Sequence, residues 1–166
     1  MLYFAYCTWL NDPEIRRYMP DCKAVTKGYA ANYRLQFHAA ADRRDRGWCH
    51  INGVADAWGE KCWGVVFEDD GRQFDEDYDD FERFALTVHG DDGRAHDCWT
   101  YRMIRPGIAM RPPNFYWQHI PDGLKAWNFP AEYIAKVQAV FDAAAECPRA
   151  DRPNPSAIPG KSAESR

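Results

Sequence analysis

Residues 1–10, MLYFAYCTWL, place an apolar segment at the start of the chain with no glycine or proline to turn it. The composition of residues 2–6 predicts a β-strand. Because strand side chains alternate, Tyr3 and Ala5 share one face, and Phe4 and Tyr6 share the other. Two interpretations stay open: a buried first strand, or a strand whose end lines a pocket. Trp9 accordingly either caps a cavity or packs in the core.

Length and charge restrict the class of protein. The 166 residues suit one domain with a proper core. A net charge of −4 gives no electrostatic footprint for nucleic acid or an anionic membrane. No apolar run approaches the roughly 18 residues of a membrane span, and the features of a secretory signal are lacking. We expect a cytoplasmic monomer or homodimer whose partner is a small molecule.

Further strands follow from hydrophobic patterning. Residues 33–38 alternate apolar and polar side chains, which is typical of a half-buried strand. Residues 62–67, CWGVVF, form a nearly continuous apolar run, which predicts a central strand buried on both faces. Residues 84–88 and 99–103 flank an Asp-Asp-Gly, so we expect a hairpin.

Two helices are predicted, one near each end of the domain. Residues 11–20 form a short helix that Asn11 or Asp12 caps. Residues 130–147 form a long amphipathic helix, and its apolar face should pack outside the sheet. The members of that face are Tyr133, Val137 and Phe141. Residues 1–147 would then form the domain, and the Pro/Ser-rich residues 148–166 a flexible tail. The short connections favour an α+β fold, a small mixed β-barrel with flanking helices.

The cysteines are dispersed through a chain too long to need disulfide staples, so we expect reduced, mostly buried thiols. Cys49 and His50 are neighbours in sequence. In a strand they would point to opposite faces, which argues against a nucleophile and its base. Cys7 is either an inert small hydrophobe or a thiol that faces a pocket. Cysteine and histidine spacing predicts no metal site.

Two charged segments predict solvated loops. Residues 43–46, RRDR, combine both signs of charge, and residues 68–82 are strongly acidic. A calcium loop beginning at Asp75 fails, because Asp80 stands at the glycine position and Leu86 at the final glutamate position. The functional alternative for the acidic segment is that one carboxylate points inward as a general base.

Three stretches resemble the gamma-glutamylcyclotransferase family. Residues 3–10, YFAYCTWL, resemble its opening Tyr-Phe-Ala-Tyr-Gly-Ser-Asn-Leu, and residues 62–67 resemble its Trp-Gly-Val-Val strand. Residues 112–137, PPNFYWQHIPDGLKAWNFPAEYIAKV, are similar to its C-terminal stretch, which has a Pro-Pro, a tyrosine and a glycine seven residues on. The stretches occur in the family's order, and the resemblance covers residues 1 to 145.

The resemblance implies a small twisted barrel and an intramolecular reaction without metal or organic cofactor. The α-amine of a γ-glutamyl group attacks its own γ-carbonyl, which gives 5-oxoproline and a free amine. A glutamate is the family's acid/base. Here position implies Glu76 or Asp77, with Glu82 as a third choice. By the same carry-over, the substrate-binding residues are Tyr3, Phe4, Ala5, Tyr6, Cys7, Thr8, Trp9, Leu10 and Tyr116.

The sequence departs from the family at both parts of the site. Cys7-Thr8-Trp9 replaces Gly-Ser-Asn, and no Glu-Gly follows the central strand. Three hypotheses remain: a cyclotransferase or amide-processing enzyme with a non-standard substrate, a non-catalytic small-molecule binding protein on this fold, or an enzyme of altered chemistry with Cys7 as nucleophile.

Overall fold

Two sheets and four α-helices make up the part of the chain that the computed structural model describes, residues 1–53, 57–68 and 80–151. The strands are β1 (Leu2–Ala5), β2 (Lys23–Ala31), β3 (Tyr33–Ala40), β4 (Arg43–Gly53), β5 (Lys61–Glu68), β6 (Phe81–Gly90), β7 (Ala95–Met103) and β8 (Pro106–Ala109). The helices are α1 (Asp12–Ile15), α2 (Asn114–Trp117), α3 (His119–Ala126) and α4 (Ala131–Ala143), and a 3-10 helix spans Thr8–Leu10.

The first sheet closes into a barrel in the order β1-β5-β2-β6-β7. It closes at β1, which runs antiparallel to β5, with Tyr3 opposite Phe67, and parallel to β7, with Tyr3 beside Trp99. Gly64 of β5 permits the close approach of β1, because a Cβ there would overlap the β1 backbone and the ring of Phe4. Phe4 and Phe67 are at most 1% exposed, so the core fills the barrel.

The second sheet has the order β4-β3-β8 and lies against the barrel. One link is a hydrogen bond of 3.2 Å in which the Met103 N–H of β7 donates to Nδ1 of His50 on β4. Helix α4 covers β3 and reaches the barrel through Tyr133, whose hydroxyl lies 3.8 Å from the sulfur of Cys62. Within the described residues, no helix is long and apolar enough to cross a membrane.

The predicted α+β barrel is confirmed. Residues 2–6 and 62–67 correspond to the neighbouring barrel strands β1 and β5, and β6 and β7 form the hairpin around Gly93, whose φ is +77°. The Asn11 side chain caps α1 by accepting the Glu14 N–H at 3.2 Å. Residue type, alternation and turn chemistry were sufficient for these elements because each of them depends on local sequence.

Other expectations were wrong. Residues 43–46 are not a solvated loop. They begin β4, and Arg46 is only 8% exposed because its guanidinium stacks on the Trp48 ring, 3.4 Å from the ring centroid. Strands β2 and β8 and the helices α2 and α3 were not predicted, and α4 ends at Ala143 rather than Cys147. The tail after residue 147 stays a prediction: its described part begins with a turn whose Ala150 carbonyl accepts the Asn114 N–H, and residues 152–166 lie outside the described residues.

Candidate functional site

The turn after β1 is a 3-10 helix whose last residue, Leu10, packs against α3. The Leu10 N–H donates to the Cys7 carbonyl at 3.0 Å, so the helix gives the Thr8 N–H no intrahelical partner. Leu10 has no exposed surface, and its carbonyl accepts Nε1–H of Trp127 at 2.9 Å. Gly123 of α3 lets the two segments approach, since a Cβ there would lie 2.6 Å from the Cβ of Leu10. The packing of α3 therefore fixes the position of Cys7 and Thr8.

Tyr116 of α2 meets this turn. Its hydroxyl lies 3.4 Å from the sulfur of Cys7 and accepts the Cys49 N–H of β4 at 3.3 Å. The Thr8 side chain also hydrogen-bonds it. One phenolic oxygen thus joins the barrel, the second sheet and the C-terminal helices.

Cys7 and Cys49 form a disulfide, so the expectation that all cysteines are reduced was wrong for this pair. Their Cα atoms lie 6.4 Å apart, within the range that disulfides span. A disulfide sulfur carries no hydrogen, and Tyr116 must therefore be the donor in its contact with Cys7. The expectation holds for the other four cysteines, which are free and buried: Cys22, Cys62, Cys98 and Cys147.

Burial of its hydroxyl raises the pKa of Tyr116 to about 12, against smaller lowering effects of the Cys49 N–H and the charge of Arg46. The phenol is consequently protonated at neutral pH and can donate a hydrogen bond. Arg46 stacks on Trp48, and the Trp48 ring meets that of Tyr116 edge to face at 5.8 Å. The guanidinium of Arg46 and the ring of Trp48 therefore lie beside Tyr116.

Tyr6 lies next to this group at the end of β1. Its hydroxyl donates to the Tyr101 carbonyl of β7 at 2.9 Å. Burial raises the pKa of Tyr6 well above its ordinary value, and the nearby Tyr116 adds to the shift. Tyr6 is thus a neutral phenol whose proton is used within the fold.

Trp9 is half-buried in an aromatic cluster on the other side of the turn. Its ring centroid lies 5.3 Å from those of Tyr3 and Tyr18 and 6.5 Å from that of Tyr101. Arg83 of β6 donates from Nε to the Tyr101 hydroxyl at 3.2 Å. This cluster has the mixed apolar and polar surface that aromatic side chains with a polar tip provide.

Solved structures identify the fold. A gamma-glutamyl cyclotransferase matches with a TM-score of 0.72 at 22% identity, over 99% of this chain and 94% of that one. The chain has a gamma-glutamylcyclotransferase-like fold. An uncharacterized human protein matches with a TM-score of 0.71 at 23% identity, over 83% of this chain and 86% of that one. YkqA from Bacillus subtilis matches with a TM-score of 0.69 at 18% identity, over 88% of this chain and 55% of that one. No protein-family model and no curated protein matches the sequence.

On this gamma-glutamylcyclotransferase-like fold, the residues predicted to bind substrate separate into three groups. Tyr6, Cys7 and Thr8 gather around Tyr116. The side chains of the second group have no exposed surface and pack in the core: Phe4, Ala5 and Leu10. Tyr3 and Trp9 belong to the neighbouring aromatic cluster.

Of the three candidate acids, Glu82 lies within the described residues. Glu76 and Asp77 lie outside the described residues. Glu82 pairs with Arg102 at 2.7 Å, with both side chains 43% exposed. It lies on the face of β6 opposite to Phe81 and Arg83.

Neither Cys49 with His50 nor a metal cluster provides an alternative centre among the described residues. His50 lies on the face of β4 opposite to Cys49, as expected from alternation. Burial, with smaller contributions from His38 and Arg102, lowers the pKa of His50 to about 4, so its imidazole is neutral. In the part of the chain that the structure describes, no three His, Cys, Asp or Glu side chains are placed to hold a metal ion.

Cys49, Arg46 and Trp48 are neighbours of Tyr116 that no sequence pattern predicted. No spacing signal pairs Cys7 with Cys49, which are 42 residues apart. The contact between Arg83 and Tyr101 follows from the observed pairing of β6 with β7, in which those two residues stand opposite each other.

Proposed function

We propose that this chain is a cyclotransferase of the gamma-glutamyl type that acts on a non-standard γ-glutamyl or related amide. The observation that carries the proposal is the meeting of the turn after β1 with Tyr116. Cys7 and the Tyr116 hydroxyl, 109 residues apart, lie 3.4 Å from each other. The resemblance assigns these two segments to one substrate site, and the fold is shared with a gamma-glutamyl cyclotransferase.

The reaction asks little of the protein beyond orientation and proton transfer. The substrate ammonium loses a proton, its nitrogen forms a bond to the γ-carbonyl carbon, and the amide bond breaks as the leaving amine takes up a proton. Tyr116 suits a donor role towards the substrate carboxylate or the γ-carbonyl oxygen, since its pKa of about 12 keeps the phenol protonated at neutral pH.

A general base is proposed from the acidic segment, either Glu76 or Asp77. Support comes from the described residues that follow these two acids. Asp80, three residues after Asp77, forms an ion pair with Arg43 of β4. The next residue, Phe81, meets Trp48 edge to face, with 5.9 Å between the two ring centroids. Trp48 in turn contacts Tyr116.

The substrate would differ from a standard γ-glutamyl compound because Trp9 occupies the position of an asparagine in the family pattern. An indole ring excludes volume and offers a flat apolar surface, whereas an asparagine offers two hydrogen-bonding groups. Trp9 therefore favours a γ-glutamyl amide whose leaving amine is apolar or aromatic.

Release of 5-oxoproline is the decisive assay. Purified protein, both oxidised and reduced, is incubated with γ-glutamyl amides of small, apolar and aromatic amines, and 5-oxoproline is quantified. Asp77→Asn and Glu76→Gln are compared with Asp97→Asn, an exposed acid on β7. We expect one of the first two to lose about 10²-fold or more in rate, and Asp97→Asn to keep the rate. If none of the substrates releases 5-oxoproline, the proposal is wrong.

A second candidate, a non-catalytic small-molecule binding protein, is favoured by the aromatic cluster around Trp9. Three tyrosine rings surround the indole, and Arg83 adds a cation 4.8 Å from the centroid of the Trp99 ring. Such a protein would bind aromatic acids without releasing 5-oxoproline. Saturation binding that Trp9→Asn abolishes, in the absence of turnover, would support this alternative.

A further inference from the structure

We propose that Cys7 and Cys49 form a thiol–disulfide exchange site and that their reduction opens the candidate site to its ligand. The reactant is a dithiol or another low-molecular-weight thiol. The proposal rests on the proposed function only for the identity of the ligand. It concerns regulation of the same site by redox state.

Exchange would be selective for this pair. Burial raises the pKa of Cys62 and of Cys98 to about 12, and it also raises the pKa of Cys22. Since the thiolate is the reactive form, these thiols exchange poorly. Cys7 is half-buried at the surface turn, whereas Cys49 is only 2% exposed, which directs an incoming thiolate to the sulfur of Cys7.

The chemistry balances with a dithiol reductant. One thiolate of the reductant attacks the sulfur of Cys7, a mixed disulfide forms, and Cys49 leaves as a thiolate that takes up a proton. The second thiol of the reductant then attacks the reductant sulfur that is bonded to Cys7. Cys7 is released as a thiolate, which takes up a proton. The protein gains two thiols, and the reductant becomes a disulfide.

Reduction makes the hydroxyl proton of Tyr116 available to a ligand. In the oxidised form, Tyr116 directs its hydroxyl proton to the Cys7 sulfur, because that sulfur has no proton of its own. The Cys49 N–H and the Thr8 side chain also contact the same oxygen. When the bond to Cys49 breaks, Cys7 is free to move away and the phenolic proton becomes available to a ligand carboxylate or carbonyl.

Reduction also frees the turn. The disulfide ties Cys7, at the start of the 3-10 helix, to β4 in the other sheet. The Leu10 end of the turn stays anchored by Trp127 and by Gly123 of α3. Residues 7–9 can therefore rearrange while the rest of the fold is retained.

Differential labelling tests the exchange site. The native full-length protein is treated with dithiothreitol, alkylated with N-ethylmaleimide and mapped by peptide mass spectrometry. We expect label on Cys7 and Cys49 only after reduction, and little label on the other four cysteines. Resistance of the pair to dithiothreitol in the folded protein would overturn the proposal.

Hydrogen exchange and ligand binding test the consequence. We expect amide exchange in residues 7–10 to accelerate on reduction, and the γ-glutamyl amide of an aromatic amine to bind about tenfold more tightly to the reduced form. Cys49→Ser should match the reduced protein in both measurements with or without reductant. Cys147→Ala, which changes a cysteine that is free in the described structure, should respond to reductant like the wild type.

The two proposals fail in different ways. If exchange at residues 7–10 is unchanged by reduction, or if both redox forms bind the ligand with the same measurable affinity, the redox proposal is wrong whatever the chemistry of the site. If exchange accelerates but no γ-glutamyl compound binds either form, the redox switch is supported and the proposed function is overturned.

Discussion

At Tyr116, a single hydroxyl takes part in contacts with three segments of the chain. It donates towards the Cys7 sulfur, accepts from the Cys49 N–H and is hydrogen-bonded by Thr8. Its raised pKa keeps the proton in place at neutral pH. The residue therefore combines a structural role with the properties of a ligand donor, and both depend on the same oxygen.

Tyr116→Phe should lower kcat/KM for 5-oxoproline release by about 10- to 100-fold, the effect of losing one hydrogen bond to a charged substrate group. Tyr133→Phe is the matched control, because Tyr133 also places its hydroxyl by a cysteine sulfur, 3.8 Å from Cys62. That control should keep its activity. Equal losses in both variants would mean that the effect is only structural.

His50 should make the fold sensitive to acid. Burial is the main cause that lowers its pKa from 6.5 to about 4, and the neutral ring accepts the Met103 N–H. A base with a lowered folded pKa contributes stability above its unfolded pKa and loses it as the pH falls through the folded value. The free energy of unfolding should thus fall by about 2–3 kcal/mol between pH 6.5 and pH 4 on account of His50.

Urea unfolding at a series of pH values measures this effect. His50→Asn keeps an acceptor near the Nδ1 position without the titration, so its stability should depend less on pH over that interval. His89→Asn, at an exposed position on β6, is the control and should follow the wild type. Parallel curves for wild type and His50→Asn would contradict the prediction.

Among the elements, the 3-10 helix and α3 act as one unit. The two share the contact between Leu10 and Gly123, and the Trp127 side chain, next to the end of α3, donates to the Leu10 carbonyl. The turn carries Cys7 and Thr8, so any shift of α3 is transmitted to the candidate site.

Gly123→Ala tests that unit, because a substitution that usually stabilises a helix should here destabilise the protein. In an exposed helix, alanine is favoured over glycine by about 1 kcal/mol. Here the new Cβ would lie 2.6 Å from Leu10, and overpacking of this kind costs about 1–3 kcal/mol. We expect a net loss of stability in chemical denaturation. Lys125→Ala, at an exposed position of α3, should be neutral, and a stabilised Gly123→Ala would show that the contact is not tight.

On the scale of the whole molecule, the disulfide connects the barrel to the second sheet. The two sheets are also linked by single hydrogen bonds, such as that of His50 with Met103. The covalent bond closes a loop of 42 residues that includes β2, β3 and the start of β4.

Reduction should lower the melting temperature without unfolding the protein. For a separation of 42 residues, the chain-entropy account assigns about 4 kcal/mol to the cross-link. For a chain of this size, that corresponds to roughly 10 °C in melting temperature. Cys49→Ser should melt like the reduced wild type, and Cys147→Ala should keep the shift between the oxidised and reduced forms. A melting temperature that reduction leaves unchanged would contradict the prediction.

Local patterns in the sequence were sufficient for much of the fold. Alternation identified β3, the apolar run identified β5, and the Asp-Asp-Gly turn identified the hairpin of β6 and β7. The strand β4 was missed because its first residues are charged. The guanidinium of Arg46 stacks on the ring of Trp48, two residues on along the same face, and propensity cannot anticipate such a contact.

The sequence by itself determined the barrel class and, through the resemblance, the segments that carry Tyr6, Cys7, Thr8 and Tyr116. Only the tertiary structure decided that Cys7 is bonded to Cys49 and that Tyr116 donates its proton to that sulfur. Secondary structure follows from side-chain periodicity and turn residues within a few positions. A contact between residues 42 or 109 positions apart depends on how the two sheets and α2 pack, and no local pattern records it.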